Sequence, residues 1–351
     1  MPGWSARLQR AWTVRGPAAR LLLPLACLFH AVTRLRQSLY RVGWLRTVRL
    51  PVRVIVVGNL IAGGAGKTPT VLALVELLRR HGYTPGIVSR GYGGRAAGVT
   101  AVMPDTPAWS CGDEPLLMRL RTGLPVFVGR DRVAAGQALL RDHPDVNVIV
   151  SDDGLQHLRL GRDIQVLVFD ERGAGNGWPL PSGPLREPLP RALPSGTLVL
   201  YNAEQATTPL GGWLALRRLA GAVSLADWWQ GRPSLPQSLD LLKGKRMIAA
   251  AGLAQPERFF TMLRIAGIDI EALALPDHFD YATLPWPAGT TAVIVTEKDA
   301  VKLDPRRVGD LQVWVAALDF APAPAFGTEV LRLLGHPVPS ATSPAHGNPI
   351  A

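Results

Sequence analysis

Acidic residues are absent from the start of this chain. None precedes Glu76, whereas Arg7, Arg10, Arg15, Arg20, Arg34, Arg36, Arg41, Arg46, Arg49, Arg53 and Lys67 all do. Those cations account for the whole net charge of +11. The charge is thus an N-terminal block, not a basic face spread over a domain, which speaks against a nucleic-acid partner. Cysteine is scarce too. Cys27 and Cys111 stand alone in 351 residues, which excludes a disulfide framework and a cysteine-based zinc site and fits a reducing compartment. No apolar run reaches the roughly 18 residues a membrane span needs, and no repeat is visible. With 47% hydrophobic and 19% charged residues, disorder is excluded and two domains are expected.

What is present begins with an amphipathic segment. From Leu21 the apolar residues recur at Leu25, Leu28, Val32, Leu35, Leu39 and Val42, drawing one stripe on a helix. Pro24 is tolerable only in a first turn, so the helix should start near Leu21–Leu23, and Gly43 is a natural stop. Arg20, Arg34, Arg36 and Arg41 flank the stripe, and Trp4, Trp12, Tyr40 and Trp44 sit near its ends. These are the features of a helix lying in an anionic membrane surface. The stripe could instead dock on the protein's own core. The run LLLPLACLFHAV also imitates a signal peptide, but the chain soon enters a nucleotide-binding motif that needs ATP.

That motif is GNLIAGGAGKTP, between the strand-like VRVIVV and the helix-like TVLALVELLRR. Strand, glycine loop, Lys-Thr and helix make a P-loop, whose backbone amides turn toward phosphates at a helix N-terminus. Ile61, Ala62, Gly63, Gly64, Ala65, Gly66, Lys67 and Thr68 are the candidate nucleotide-binding residues, with Lys67 reaching the β- and γ-phosphates and Thr68 holding Mg²⁺. Ile61 stands where the strict pattern has glycine. A second strand ends in Ser89-Arg90-Gly91-Tyr92, where α/β sheets bind ligands, although a plain turn explains it equally well.

Carboxylates complete the nucleotide chemistry. The run VNVIVS leads into Asp152-Asp153-Gly154, the strand-borne acid that holds Mg²⁺; adjacent aspartates on a strand face opposite sides, so both need not bind the metal. Asp113 and Glu114 are either N-terminal caps of a helix, or one is a metal ligand and the other the base that deprotonates an attacking hydroxyl. In VGRDR, Arg132 could bring a guanidinium to phosphate.

GNLIAGGAGKTP, SRGYGG, GDEPLL, VGRDR, SDDGLQH, NGWPLPSGPLREP, PDH and VTEKDAVKL occur in one order. Together they resemble the tetraacyldisaccharide 4′-kinase (lipid A 4′-kinase) family over roughly residues 20–335, and Ile61 matches that family's own loop. The resemblance implies transfer of the ATP γ-phosphate to the 4′-hydroxyl of an acylated disaccharide 1-phosphate at the cytoplasmic face of a bacterial inner membrane, with no obligate protein partner evident. It implies Asp113 as catalytic base paired with His278, and Glu114, Asp152 and Asp153 around Mg²⁺. It places Tyr92, Arg132, Gln156, Arg186 and Glu187 near nucleotide or sugar phosphate. Asp277 could orient the His278 ring and raise its pKa. Because Asp113 and His278 are far apart in the chain, the pair is expected to form only when two domains close. The other histidines are structural by default, though His157 lies beside the Asp-Asp-Gly turn.

The expected fold is α/β: a P-loop NTPase-type α/β/α sandwich, a second, smaller α/β/α domain and the N-terminal amphipathic helix. The segments are 1–48 for the helix, 49–205 for the kinase core, 206–335 for the smaller domain and 336–351 for a disordered tail. The Gly/Pro-rich stretch 173–196 is expected to be an ordered functional loop. Residues 203–240 have weak periodicity, and Glu297-Lys298-Asp299 is as readily a solvated turn or ion pair as a functional group. A membrane-associated P-loop ATPase, acting as a regulator or assembly factor with water as acceptor, is the alternative function.

Overall fold

The structure, a computed structural model, describes residues 12–336. Trp4, Arg7, Arg10 and the expected tail from residue 337 lie outside the described residues.

The strands, in chain order, are β1 (Arg53–Gly58), β2 (Pro85–Ser89), β3 (Thr100–Ala101), β4 (Val126–Val128), β5 (Val148–Asp152), β6 (Ile164–Asp170), β7 (Thr197–Asn202), β8 (Trp213–Ser224), β9 (Arg246–Ala251), β10 (Asp269–Ala274), β11 (Ala292–Thr296) and β12 (Gln312–Pro322). The helices that matter here are α1 (Leu23–Arg41), α2 (Lys67–Arg80), α3 (Asp113–Thr122), α4 (Arg132–Asp142), α5 (Pro256–Ile265), α6 (Glu297–Ala300) and α7 (Pro324–Leu334). They divide into two compact units. One comprises the chain up to Arg90, Gly129–Ala215 and the chain from Pro322; the other comprises Gly91–Val128 and Leu216–Ala321.

The first unit is built on parallel strands in the order β8-β7-β6-β1-β5-β2. Runs such as Val54–Val57 and Val148–Val150 are wholly buried, as expected of parallel strands covered on both faces. β1 sits between β5 and β6, and Val57 pairs with Asp152, so the loop after β1 and the aspartates after β5 leave neighbouring strands at the same end. The helix α7 completes this unit by burying Phe326, Val330 and Leu334.

The helix α1 belongs to the first unit and starts where Pro24 allows, with Pro at its first turn. Only Ala26 of α1 is buried, while Leu25, Leu28, Val32 and Leu35 are each more than half exposed. The stripe therefore faces outward, and docking on the protein's own core is excluded. Trp12, one of the aromatics expected near the ends of the stripe, is partly exposed. Its Nε1 donates to the Pro181 carbonyl at 2.9 Å, and Arg15 covers the Trp178 ring, so this end of the chain is tied to the Gly/Pro-rich loop.

The second unit has parallel strands in the order β10-β9-β11-β12, with β8 beside β12. Its core gathers Leu242, Met247, Phe259, Phe260, Leu263 and Ile294 between this sheet and α5. The expected linear domains 49–205 and 206–335 are thereby corrected. Residues 91–128 belong with the second unit, because Arg121 of α3 forms an ion pair with Glu297 of α6 at 2.6 Å. Residues from Pro322 return to the first. The long strand β8 lies where periodicity was weak, because its two faces are unevenly buried.

Candidate active site

Each unit carries its own cluster. In the first, the loop between β1 and α2 is shaped by Gly63 and Gly66, at φ 91° and 95°. A Cβ on Gly66 would lie 2.4 Å from Asn202 Nδ2, so glycine is required there both for φ and for space. The loop is held from outside. Asn59 Nδ2 donates to the Gly63 carbonyl at 2.9 Å, and Asn202 Nδ2 to that of Ala65 at 3.2 Å. Arg172, anchored on Asp170, donates to the carbonyls of Ala62 (3.3 Å) and Gly64 (2.6 Å). These contacts turn the loop carbonyls outward, which suits amides from Gly63 onward to face an anion, while Ala62 N is itself engaged by the Pro184 carbonyl. Sequence reasoning missed Asn59, Arg172 and Asn202; their only signal was polar residues at the ends of β1, β6 and β7.

The Asp-Asp pair splits as the strand geometry requires. Asp152 is buried and accepts from Ser89 Oγ at 3.1 Å. Asp153, at φ 46°, turns to meet Arg186 Nη1 at 3.2 Å and Lys67 Nζ at 3.6 Å. Despite burial, the charges of Lys67 and Arg186 hold its carboxyl below the usual range. Arg132 is almost fully buried, donating to the Gly129 carbonyl at 2.8 Å and the Asp153 carbonyl at 3.3 Å. Burial pushes its pKa down to about 10, with Asp152 and Asp153 opposing. Burial and Arg132 push His157 down to about 4, so it stands neutral beside this cluster at physiological pH.

The Gly/Pro-rich stretch 173–196 is an ordered part of this cluster. Ala62 N donates to the Pro184 carbonyl (2.8 Å) and Arg186 N to the Leu60 carbonyl (2.7 Å), which pins the stretch to the P-loop. Gln156 Oε1 accepts from Arg186, Gln156 Nε2 donates to Glu187, and Glu187 also accepts from Gln37 of α1 at 2.6 Å. Beside α1 lies a groove of about 1090 Å³, lined in part by His30, Arg34, Gln37, Arg41, Arg162 and Glu187.

The second cluster lies wholly in the other unit. Asp113, buried at the first position of α3, meets His278 Nδ1 at 2.9 and 3.1 Å. This corrects the expectation that the pair needs two domains to close: both residues belong to one unit, because 91–128 folds with it. Asp277 makes no hydrogen bond to the ring: its carboxylate lies 3.9 Å from His278 Nε2 and is held by Lys298 at 3.1 Å, but its charge does help to raise the His278 pKa. The hydrogen bond that His278 Nδ1 donates to Asp113 is the main cause that raises the His278 pKa above its ordinary value, with the charges of Asp113 and Asp277 adding to it and burial and Lys298 opposing. Against its own burial, the His278 bond and the charges of Lys298 and Lys302 hold Asp113 low. His278 and Tyr281 both adopt positive φ (61° and 54°), a strained loop of the sort found at functional sites. Tyr92 lies with its ring 5.3 Å from that of His278 and is largely exposed.

The turn 297–302 is not solvated but bears ion pairs, which is one of the two plain readings of Glu297-Lys298-Asp299. Lys298 Nζ lies 3.1 Å from Asp277, 3.3 Å from Glu114 and 3.9 Å from Asp113. Lys302 Nζ lies 3.8 Å from Asp113 and 3.3 Å from the fully buried Asp299. Sequence reasoning left both lysines without a role, although VTEKDAVKL was among the family motifs. Among the described residues, no three His, Cys, Asp or Glu side chains converge as a metal cage.

Comparison with known proteins identifies the family. The family model described as tetraacyldisaccharide-1-P 4′-kinase matches residues 18–335. A tetraacyldisaccharide 4′-kinase of Methylibium petroleiphilum is 58% identical over 326 residues, covering 92% of this chain and 91% of that protein. One from Leptothrix cholodnii is 54% identical over 334 residues, covering 94% and 96%. The crystal structure of the "apo" form of LpxK from Aquifex aeolicus in complex with ATP aligns with a TM-score of 0.74 at 28% identity, covering 91% of this chain and 100% of that one.

Proposed function

Because the chain belongs to the tetraacyldisaccharide 4′-kinase family, we propose a division of labour in which the first unit holds ATP and Asp113 of the second activates the acceptor. The reaction moves the γ-phosphate of ATP to the 4′-hydroxyl of a tetraacyldisaccharide 1-phosphate. The new O–P bond forms at the 4′-oxygen as the bond to the leaving ADP oxygen breaks, and the hydroxyl proton goes to Asp113. The observation that carries this assignment is the hydrogen bond between His278 Nδ1 and the buried Asp113 carboxylate. It orients a buried carboxylate held below its usual range, and the GPLREP loop together with the PDH motif is what a regulatory ATPase has no evident need for.

In the first unit, residues Ile61–Thr68 cradle the phosphates, with Lys67 directed at the β- and γ-groups and the start of α2 adding partial positive charge. A hydroxyl at Thr68 and the carboxylates of Asp152 and Asp153 form a hard oxygen donor set that suits Mg²⁺, which takes one or two carboxylates together with substrate phosphates. Bound there, Mg²⁺ would neutralise charge on the transferring phosphoryl group. Glu114 belongs to the second unit, where Lys298 takes up its carboxylate. The arginine-lined groove beside α1 suits a phosphate-bearing sugar headgroup; Glu187 lines it and accepts from Gln156, which in turn accepts from Arg186. The outward stripe of α1 suits the plane of an anionic membrane surface. No helix among the described residues is long and apolar enough to cross a membrane.

The test is to incubate the purified protein in detergent micelles with γ-labelled ATP, Mg²⁺ and tetraacyldisaccharide 1-phosphate, beside Asp113→Ala. Label in the lipid, lost in the variant, supports the assignment. Undiminished transfer in Asp113→Ala overturns the role of Asp113.

A further inference from the structure

We propose that Lys302, clamped by Asp299 and Tyr281, is a positioning residue that fixes the Asp113 carboxylate for proton abstraction. The inference rests on Asp113 being the base. Three observations carry it, all within one unit.

First, Lys302 is itself immobilised. Its side chain is only 7% exposed, its Nζ donates to Asp299 Oδ1 at 3.3 Å, and it lies 5.4 Å from the centre of the Tyr281 ring. Asp299 is as firmly held: it accepts from Gly252 N (3.1 and 3.2 Å) and from Thr296 Oγ1 (2.7 Å). The three-residue spacing of Asp299 and Lys302 puts both on one face of the turn that continues α6. Second, the Asp113 oxygens are not equivalent. His278 Nδ1 meets both, at 3.1 Å from Oδ1 and 2.9 Å from Oδ2, but Oδ1 also accepts from Glu114 N at 2.9 Å, whereas Oδ2 faces the ammonium groups of Lys302 at 3.8 Å and Lys298 at 3.9 Å. Third, Tyr281 is buried on the strained loop that bears His278, so a single support braces both partners of Asp113.

The charges therefore alternate from the core outward: Asp299, Lys302, Asp113, His278. Removing Lys302 leaves the inner side of Asp113 with no fixed cation of this kind. Lys298 is shared with Glu114 and Asp277 and is more exposed, so it does not replace Lys302. A freed carboxylate misaligned by an ångström costs turnover but not substrate binding.

Lys302→Met strands the buried Asp299, so it is compared with the paired variant Asp299→Asn/Lys302→Met, which removes both charges together. Kinetics with ATP and tetraacyldisaccharide 1-phosphate are read beside melting temperatures, with Asp113→Ala and Asp113→Ala/Lys302→Met included. The expected result is a kcat about 100-fold down in Lys302→Met and in the paired variant, with both KM values within about threefold of wild type. The paired variant regains thermal stability without regaining turnover, and Lys302→Met adds no further loss to Asp113→Ala. Wild-type kcat in the paired variant, with Asp113→Ala inactive, overturns the inference and leaves the base assignment standing. Full activity in Asp113→Ala overturns both.

Discussion

At the scale of single residues, the hydrogen bond between Asp113 and His278 sets the pH behaviour of the second unit. His278 is raised above its ordinary 6.5, chiefly by that bond. Its contribution to stability is therefore fully present below about pH 6.5 and is lost as pH rises through the folded-state value. The melting temperature of His278→Gln should fall furthest short of wild type at about pH 6 and approach it in alkaline buffer; a gap constant across that range would contradict the bond's role. Asp113→Asn should lower kcat by about 100-fold to 10,000-fold, the range for a lost general base, with the melting temperature changed far less. Arg132 offers a separate test. Its buried guanidinium serves the Gly129 and Asp153 carbonyls beside two aspartates, so Arg132→Met should cost about 3–5 kcal/mol in denaturant melts.

At the scale of elements, the P-loop depends on residues far from it in sequence. Gly66→Ala places a Cβ against Asn202 at positive φ, so about 1–3 kcal/mol of strain is expected. A fluorescent ATP analogue should bind more weakly to that variant than to the wild-type protein; equal binding would contradict the steric requirement at Gly66. For α1, exchanging Leu28 and Leu35 for glutamate should abolish co-sedimentation with anionic vesicles and leave the melting temperature in place, since both side chains are exposed. Retained sedimentation would sink the surface-docking proposal.

At the scale of the whole molecule, each unit is assembled from separated stretches of chain, and this governs truncation. The helix α7 buries Phe326, Val330 and Leu334 in the unit that carries the P-loop, each worth roughly 1.5–3 kcal/mol. Ending the chain at Ala321 should therefore weaken ATP binding and lower the melting temperature, although the cut lies far from the P-loop in sequence.

The sequence alone determined what local physics writes. The strand–glycine loop–helix order requires particular residues at particular spacings, the apolar strand runs mark a parallel sheet, and the stripe from Leu21 to Val42 has helical period. The family resemblance carried by the motif order paired Asp113 with His278, and the two side chains do meet. Tertiary structure decided which segments share a unit, and so which side chains meet. Nothing local to 91–128 says that it folds with 216–321, because that partnership is made by pairs such as Arg121 and Glu297, whose spacing in the chain carries no periodic signal. For the same reason Lys298 and Lys302 read as an ordinary charged turn, and Arg172, Asn59 and Asn202 as plain strand ends. The direction each faces is set only once the sheets are packed, when burying a charge or a loop carbonyl without a partner becomes costly.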